Sequence, residues 1–265
     1  MYSDLERPPL DARFLNDRLC RPGSLWSRIE VVPETASTNA DLAARAGEDE
    51  GLVLVAEYQN AGKGRMGRTW SAPPRSALLF SILLRPATVP PERWPLLGLV
   101  APLAVADAVH STGELDATVK WPNDVLVEDR KLAGILLERV GDAAIVGIGL
   151  NVSLRADERP HEAATSLALE GAATTDRITV MAAVLRALEQ RYREWVSDRG
   201  HATAVLEAYE KVSATLGQRI RAELPDGKTV EGTATGIDVD GRLVVEGPTG
   251  RTALAAGDVI HVRPK

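Results

Sequence analysis

An apolar run, Leu52–Ala56, feeds directly into Glu57-Tyr58-Gln59-Asn60-Ala61-Gly62-Lys63-Gly64-Arg65-Met66-Gly67-Arg68-Thr69-Trp70. No other stretch constrains the fold as strongly. Five consecutive apolar residues bounded by polar ones read as a buried strand. Three glycines then alternate with three cations. Glycine lets a backbone approach a ligand closely or take positive φ, and successive amides in such a loop form a concave anion site. Residues 58–91 hold five basic side chains, Lys63, Arg65, Arg68, Arg75 and Arg85, and no acid, although the whole chain carries net charge −6. A local positive field on an acidic protein suits a small anionic ligand better than a long nucleic-acid track.

Two phosphate-binding patterns overlap here. Gly62, Gly64 and Gly67 fit the dinucleotide fingerprint G-x-G-x-x-G, and Gly62, Gly67, Arg68 and Thr69 nearly fit a P-loop with Arg68 in the lysine position. Both patterns need a helix directly after the loop, whose N-terminal amides hold the phosphates. Trp70-Ser71-Ala72-Pro73-Pro74 follows instead, and a proline pair bars helix geometry before it. A solvated basic hairpin loop is the plainer reading.

With 265 residues the chain has room for one large domain and a small one. The N-terminal nine residues carry both charge signs and no apolar core, unlike a secretory signal. The apolar stretches break short of the ~20 residues that span a bilayer. One cysteine, Cys20, excludes an intramolecular disulfide and fits a reducing, cytoplasmic setting. His110, His161, His201 and His261 lack ligand spacing, so no zinc site is expected.

The pattern predicts a short first helix with Leu10, Phe14 and Leu19 near one face, and a strand over 29–32. Ser37 or Thr38 caps a helix over 40–46 that Gly47 closes. Residues 77–84 form a central strand, and 92–110 an apolar core helix that Pro102 bends or splits. Strands follow over 118–121, 125–127, 132–137 and 143–150, the middle two as a hairpin around Glu128-Asp129-Arg130. Helices are expected over 178–196, with Met181, Leu185, Leu188 and Tyr192 inward, and over 204–212. From about Leu216 the texture turns to short strands and turns, over 218–224, 230–237, 242–246, 252–255 and 260–262. No aromatic residue follows Tyr209, so this last unit has no stacking platform for nucleic acid.

Five ordered blocks carry a family resemblance. They are Ser37-Thr38-Asn39, Gly62-Lys63-Gly64-Arg65-Met66-Gly67-Arg68-Thr69-Trp70, Lys120-Trp121-Pro122-Asn123-Asp124, Lys131-Leu132-Ala133-Gly134-Ile135-Leu136 and Gly147-Ile148-Gly149-Leu150-Asn151. The set, spanning residues 37–151, resembles the biotin protein ligases. Lys63 departs from the family's usual arginine; it keeps the charge and loses the planar fork.

The resemblance implies an α+β fold: a mixed β-sheet catalytic domain packed on helices, class II synthetase-like and of the biotin/lipoate ligase type, over residues 1–214. A small C-terminal all-β SH3-like barrel occupies 215–265. Only 36 residues precede Ser37, too few for the N-terminal DNA-binding unit that some members carry. The implied reaction is ATP-dependent conversion of biotin to biotinyl-5′-AMP, then transfer to one lysine of a biotin carboxyl carrier protein or a carrier domain of acyl-CoA or pyruvate carboxylases. A lipoate-protein ligase of the same fold and a non-catalytic, biotinyl-AMP-responsive regulator are the alternatives.

By the same resemblance, Ser37, Thr38, Asn39, Gln59, Gly62, Lys63, Gly64, Arg65, Lys131 and Gly134 hold biotin. Arg65, Arg68, Trp70, Asn123, Asp124, Lys131 and Asn151 hold ATP. Lys131, Arg65 and Arg68 are the catalytic cations, and Asp124 is the ligand for the Mg²⁺ that accompanies ATP. Each has a plainer reading from the residues alone: a capping Ser37, a turn at Asn123-Asp124, a solvated edge lysine at 131, and a strand-end asparagine at 151. No DNA or membrane partner is expected, and the protein is expected as a monomer or weak homodimer.

Overall fold

The computed structural model describes residues 6–248 and 250–261. The first five residues, over which no signal is expected, and Val262 of the last expected strand lie outside them. The chain runs α1 (Ala12–Leu19), β1 (Arg28–Val32), α2 (Thr38–Ala44), β2 (Leu52–Ala56), β3 (Ala77–Leu84), α3 (Leu97–Gly113), β4 (Ala117–Lys120), β5 (Asp124–Val127), β6 (Arg130–Val140) and β7 (Ala143–Asn151). Next come α4 (Arg177–Ser197), α5 (Thr203–Val212), β8 (Arg219–Glu223), β9 (Thr229–Ile237), β10 (Leu243–Gly247), β11 (Gly250–Leu254) and β12 (Asp258–His261).

Seven strands form one mixed sheet in the order β1-β2-β3-β7-β6-β5-β4. Only β1 and β2 run parallel; the other neighbours are antiparallel. The period-2 alternation of strands decides what each face holds. Val53, Val55, Leu78, Phe80, Ile82, Ala133, Ile135, Val146 and Ile148 point to one face and join the main core with α1, α3 and α4. The opposite face carries small or polar residues in the middle of the sheet, Ser81, Gly134, Gly147 and Gly149. Strand register sets them in adjacent rows: Ser81 pairs with Gly147 and Gly147 with Leu136, while Gly149 pairs with Gly134. At one end of that face α2 packs on Leu52, Leu54, Leu83, Ala143 and Ile145 through Leu42. The remainder of the face is open, and the site lies there.

The last five strands form an all-antiparallel sheet in the order β11-β10-β9-β8-β12. Its apolar residues, Ile220, Ala222, Leu243 and Val245 among them, are continuous with the main core. The fully buried Trp121 ties the two sheets, donating Nε1–H to the Gly241 carbonyl at 3.1 Å.

Four expectations change. Leu15, not Phe14, is the inward residue of α1; Phe14 is exposed. The α2 helix starts at Thr38, directly after Ser37, and ends at Ala44, before Gly47. Pro102 does not split α3. The break comes earlier, where the 3₁₀ turn Pro91–Leu96, with Pro95 inside it, passes into α-helix at Leu97. Read together, Pro91–Gly113 is long and apolar enough to cross a membrane, contrary to the short runs expected. Most of it is buried between the sheet and α4.

Candidate functional site

The glycine stretch folds into a hairpin over the open face of the sheet. The Gly64 amide donates to the Arg68 carbonyl at 2.7 Å, and the Trp70 amide to Gly62 at 2.8 Å. Lys63 bridges Thr69, and the tip, Arg65–Gly67, is a single 3₁₀ turn with Met66 and Gly67 at positive φ. No helix follows it, which removes both phosphate-loop patterns and leaves the hairpin reading. Beneath it lies a cavity of about 550 Å³. Ser37, Thr38, Asn39, Gln59, Lys63, Gly64, Arg65, Arg68, Trp70, Asn123, Lys131, Gly134 and Asn151 all line it. These come from six separate segments of chain, so the fold gathers the sequence blocks into one place. Of the expected residues, Gly62 and Asp124 stand just behind the lining, Gly62 in the hairpin and Asp124 through Lys131.

One end of the cavity is neutral and polar. Ser37 caps α2, accepting from the Ala40 amide at 3.4 Å, so the capping reading holds for it. The cap leaves Thr38 and Asn39 in the first turn, side chains toward the sheet. Gln59 Oε1 accepts from the Thr38 amide at 2.7 Å and lies 3.0 Å from its hydroxyl. Thr38 Oγ1 lies 2.7 Å from Ser81 Oγ, and Ser81 donates to Asn39 Oδ1 at 2.6 Å. Gly147 makes this possible: a Cβ there would stand 2.0 Å from Asn39 Oδ1.

The other end is cationic. Lys131 Nζ sits 2.6 Å from Asp124 Oδ1 and 5.6 Å from the centre of the Trp70 ring. The indole lies on the sheet where Gly149 leaves room, since a Cβ there would meet the ring at 2.5 Å. One face of Trp70 is therefore already covered. Arg65 reaches Asn123 Oδ1 at 3.5 Å, while Asn123 Nδ2 donates to the Ile135 carbonyl at 2.8 Å. Burial lowers the Arg65 pKa from its ordinary value; Asp124 works against that and Arg68 adds to it. Asn151 is buried and donates to the Thr165 carbonyl at 2.8 Å, which pins the 164–165 segment beside Lys131. Pro160 and His161 of the same segment complete the wall.

Two basic residues differ from the simple cluster read from sequence. Arg85 faces away from the hairpin; it binds Asp142 at 2.6 Å and the carbonyls of Ala46 and Glu48. Arg68 is exposed and pairs with Asp258 of β12 at 3.2 Å, linking the hairpin to the C-terminal sheet. Ser81, Asp258 and Glu138, which accepts from Asn39 Nδ2 at 2.7 Å, were not singled out by sequence. Ser81 had a signal: it is the one polar residue in β3.

Residues 29–154 match the Biotin/lipoate A/B protein ligase family, and residues 215–262 match the Biotin protein ligase C terminal domain. The chain is 43% identical over 266 residues to the biotin--[acetyl-CoA-carboxylase] ligase of Mycobacterium tuberculosis, covering 98% of each. It is 35% identical to the bifunctional ligase/repressor BirA of Escherichia coli, over 82% of this chain and 69% of that protein. The Aquifex aeolicus biotin protein ligase solved with biotin and ATP superposes with a TM-score of 0.77 at 28% identity, over 90% of this chain and all of that one. With near-complete coverage by such a relative and both family matches in order, the chain belongs to the biotin protein ligase family.

Proposed function

We propose that this protein activates biotin with ATP to biotinyl-5′-AMP and transfers the biotinyl group to a lysine of a biotin carboxyl carrier protein or domain. The observation that carries the reading is one cavity with two chemically different ends, neutral hydrogen-bonding groups at Thr38, Asn39 and Gln59 and cations at Arg65 and Lys131. Biotin has that polarity, a neutral ureido ring and a carboxylate. The ring fits the neutral end, where charged groups would be poorly used. The carboxylate then lies toward Lys131, where the α-phosphate of ATP must also come.

The chain's task is to bring two anions together and stabilise charge at phosphorus. Arg65 and Lys131 meet the carboxylate and α-phosphate, and Arg68 at the mouth meets the outer phosphates. A biotin carboxylate oxygen bonds to the α-phosphorus as the bond to pyrophosphate breaks. The ε-amine of the carrier lysine then bonds to the acyl carbon, AMP leaves, and the amine's proton passes to solvent. No protein nucleophile is required. Lys63 and Gly64 cover the substrate from the hairpin and exclude water from the mixed anhydride. Asn123 steers Arg65, and Asn151 holds the wall beside Lys131. The indole of Trp70 offers its uncovered face to the nucleotide base.

Mg²⁺ is the cofactor this reading requires. Among the described residues no three His, Cys, Asp or Glu side chains form a metal cluster. A single carboxylate at Asp124 suits Mg²⁺, which keeps several waters and binds through one or two carboxylates plus substrate phosphates. When bound, the metal neutralises phosphate charge. We assign residues 1–214 to catalysis and 215–265 to a cap that meets the hairpin through Asp258. The need for ATP and a free Cys20 fit a cytoplasmic enzyme.

The test is pyrophosphate release by the purified protein with Mg²⁺-ATP and either biotin or lipoate. Release with biotin alone supports the reading; release with lipoate alone favours the lipoate ligase, and none with either favours the regulator.

A further inference from the structure

We propose that Glu138 is a positioning residue for the bound vitamin: it sets the sense of the Asn39 amide, so that the cavity presents an oxygen acceptor to a ring N–H. This rests on the biotin reading above. Glu138 is not among the residues lining the ligand cavity; it lines the larger neighbouring cavity, which shares the hairpin with it.

An asparagine amide can be turned end for end at little steric cost, so its partners decide which end is which. Asn39 Nδ2 lies 2.7 Å from Glu138 Oε2 and 3.3 Å from the Leu136 carbonyl. An ionised carboxylate and a backbone carbonyl both accept only. Both amide protons of Asn39 are therefore spent on them, and Oδ1 must face the other way. There it accepts from Ser81 at 2.6 Å. A carbonyl oxygen has two lone pairs, so one is left for a ligand.

The sense set at Glu138 travels further. Ser81 gives its only proton to Asn39, so in its 2.7 Å contact with Thr38 it can only accept. Thr38 has one proton, which goes to Ser81 or to Gln59 Oε1 at 3.0 Å; either way only its lone pairs are left for a ligand. The oxygens of Asn39 and Thr38 thus act as acceptors, matched to the N–H groups of a cyclic urea. Ser37, which accepts from Ala40, keeps a hydroxyl proton for the urea carbonyl.

Biotin affinity is measured by calorimetry without nucleotide on wild type and on Glu138→Gln, Glu138→Ala and Glu138→Lys, each checked by its melting curve. Glutamine keeps an acceptor oxygen, so affinity should fall only about threefold. Alanine removes the anchor, for a loss of about tenfold, and lysine offers only donors and reverses the amide, for about a hundredfold. The maximal rate of pyrophosphate release at saturating biotin should stay within about twofold while KM for biotin rises in that order. Adding Asn39→Asp to Glu138→Lys restores an acceptor held by a donor and should recover about tenfold over Glu138→Lys alone. Wild-type binding with three indistinguishable variants overturns the inference alone. Equal losses that track melting temperature also overturn it, as a structural effect. A folded wild type that does not bind biotin overturns the functional reading and this inference with it.

Discussion

Lys131 and Asp124 meet across the β5–β6 hairpin, with Nζ and Oδ1 2.6 Å apart. Both are only partly exposed, and Lys131 is the cation that stands over the Trp70 ring. A lysine tethered in this way is held in place at the cationic end of the cavity. Lys131→Ala should lower kcat/KM for adenylate formation by about a hundredfold or more, the range for loss of one preorganised charge donor. Its melting temperature should shift by no more than a few degrees. Pyrophosphate release and a thermal melt check this together; parallel collapse of both would make the lysine structural.

Gly147 and Gly149 carry the two side chains that shape the cavity floor. A methyl at 147 collides with Asn39 Oδ1, and a methyl at 149 with the Trp70 indole. Gly147→Ala should weaken biotin about tenfold or more, with a destabilisation of roughly 1–3 kcal/mol as for an overpacked core. Gly149→Ala should act mainly on ATP, through Trp70. Titration of each substrate separately distinguishes the two.

The Arg68–Asp258 pair is exposed on both sides and should contribute little to stability. Its expected effect is on the hairpin. Asp258→Ala should leave the melting temperature unchanged yet speed tryptic cleavage at Arg65 and Arg68 in the ligand-free protein. Biotin with ATP should protect both proteins equally. Equal cleavage without ligand would mean that Asp258 does not restrain the loop.

Acid should destabilise the fold in two stages. Burial, helped by Lys120 and opposed by Asp129, holds the His261 pKa below its ordinary value. Below about pH 6.5 the unfolded chain therefore binds that proton first, and stability begins to fall. A steeper loss should follow below about pH 4. Hydrogen bonds from Arg45 hold Glu30 low against burial. Burial raises Glu170, but Arg130 and Thr165 outweigh it and leave the carboxylate lowered. These groups stabilise the fold fully above the ordinary carboxylate range and lose that effect as pH falls through their folded values. Urea midpoints from pH 3 to 7 check this, and Glu170→Gln should flatten the lower stage.

The strands were legible because their apolar runs match strand length, as at Leu52–Ala56 and Ala77–Leu84. The site's sequence blocks were legible as a set, and the fold converges them on one cavity. What stayed hidden was set by tertiary neighbours. Arg85 counts as a cation beside the loop in sequence, but the strand carries it to the far end of the sheet. Glu138 is one charge among others near the end of β6, and only the packing of Asn39 against it marks it out. Asp258 lies 190 residues from Arg68, beyond any local pattern. Phe14 and Leu15 are adjacent, and only the packing of α1 on the sheet decides which one turns inward.

The central claim is that one cavity joins vitamin to nucleotide and delivers the product to a protein lysine. Intact-mass spectrometry of a carrier domain incubated with this protein, Mg²⁺-ATP and biotin tests it most directly. The account predicts the gain of one biotinyl group, lost when ATP is omitted, when the carrier's acceptor lysine becomes arginine, or in Lys131→Ala. An unmodified carrier in the presence of folded wild-type protein, or a carrier that gains lipoyl instead, would contradict it.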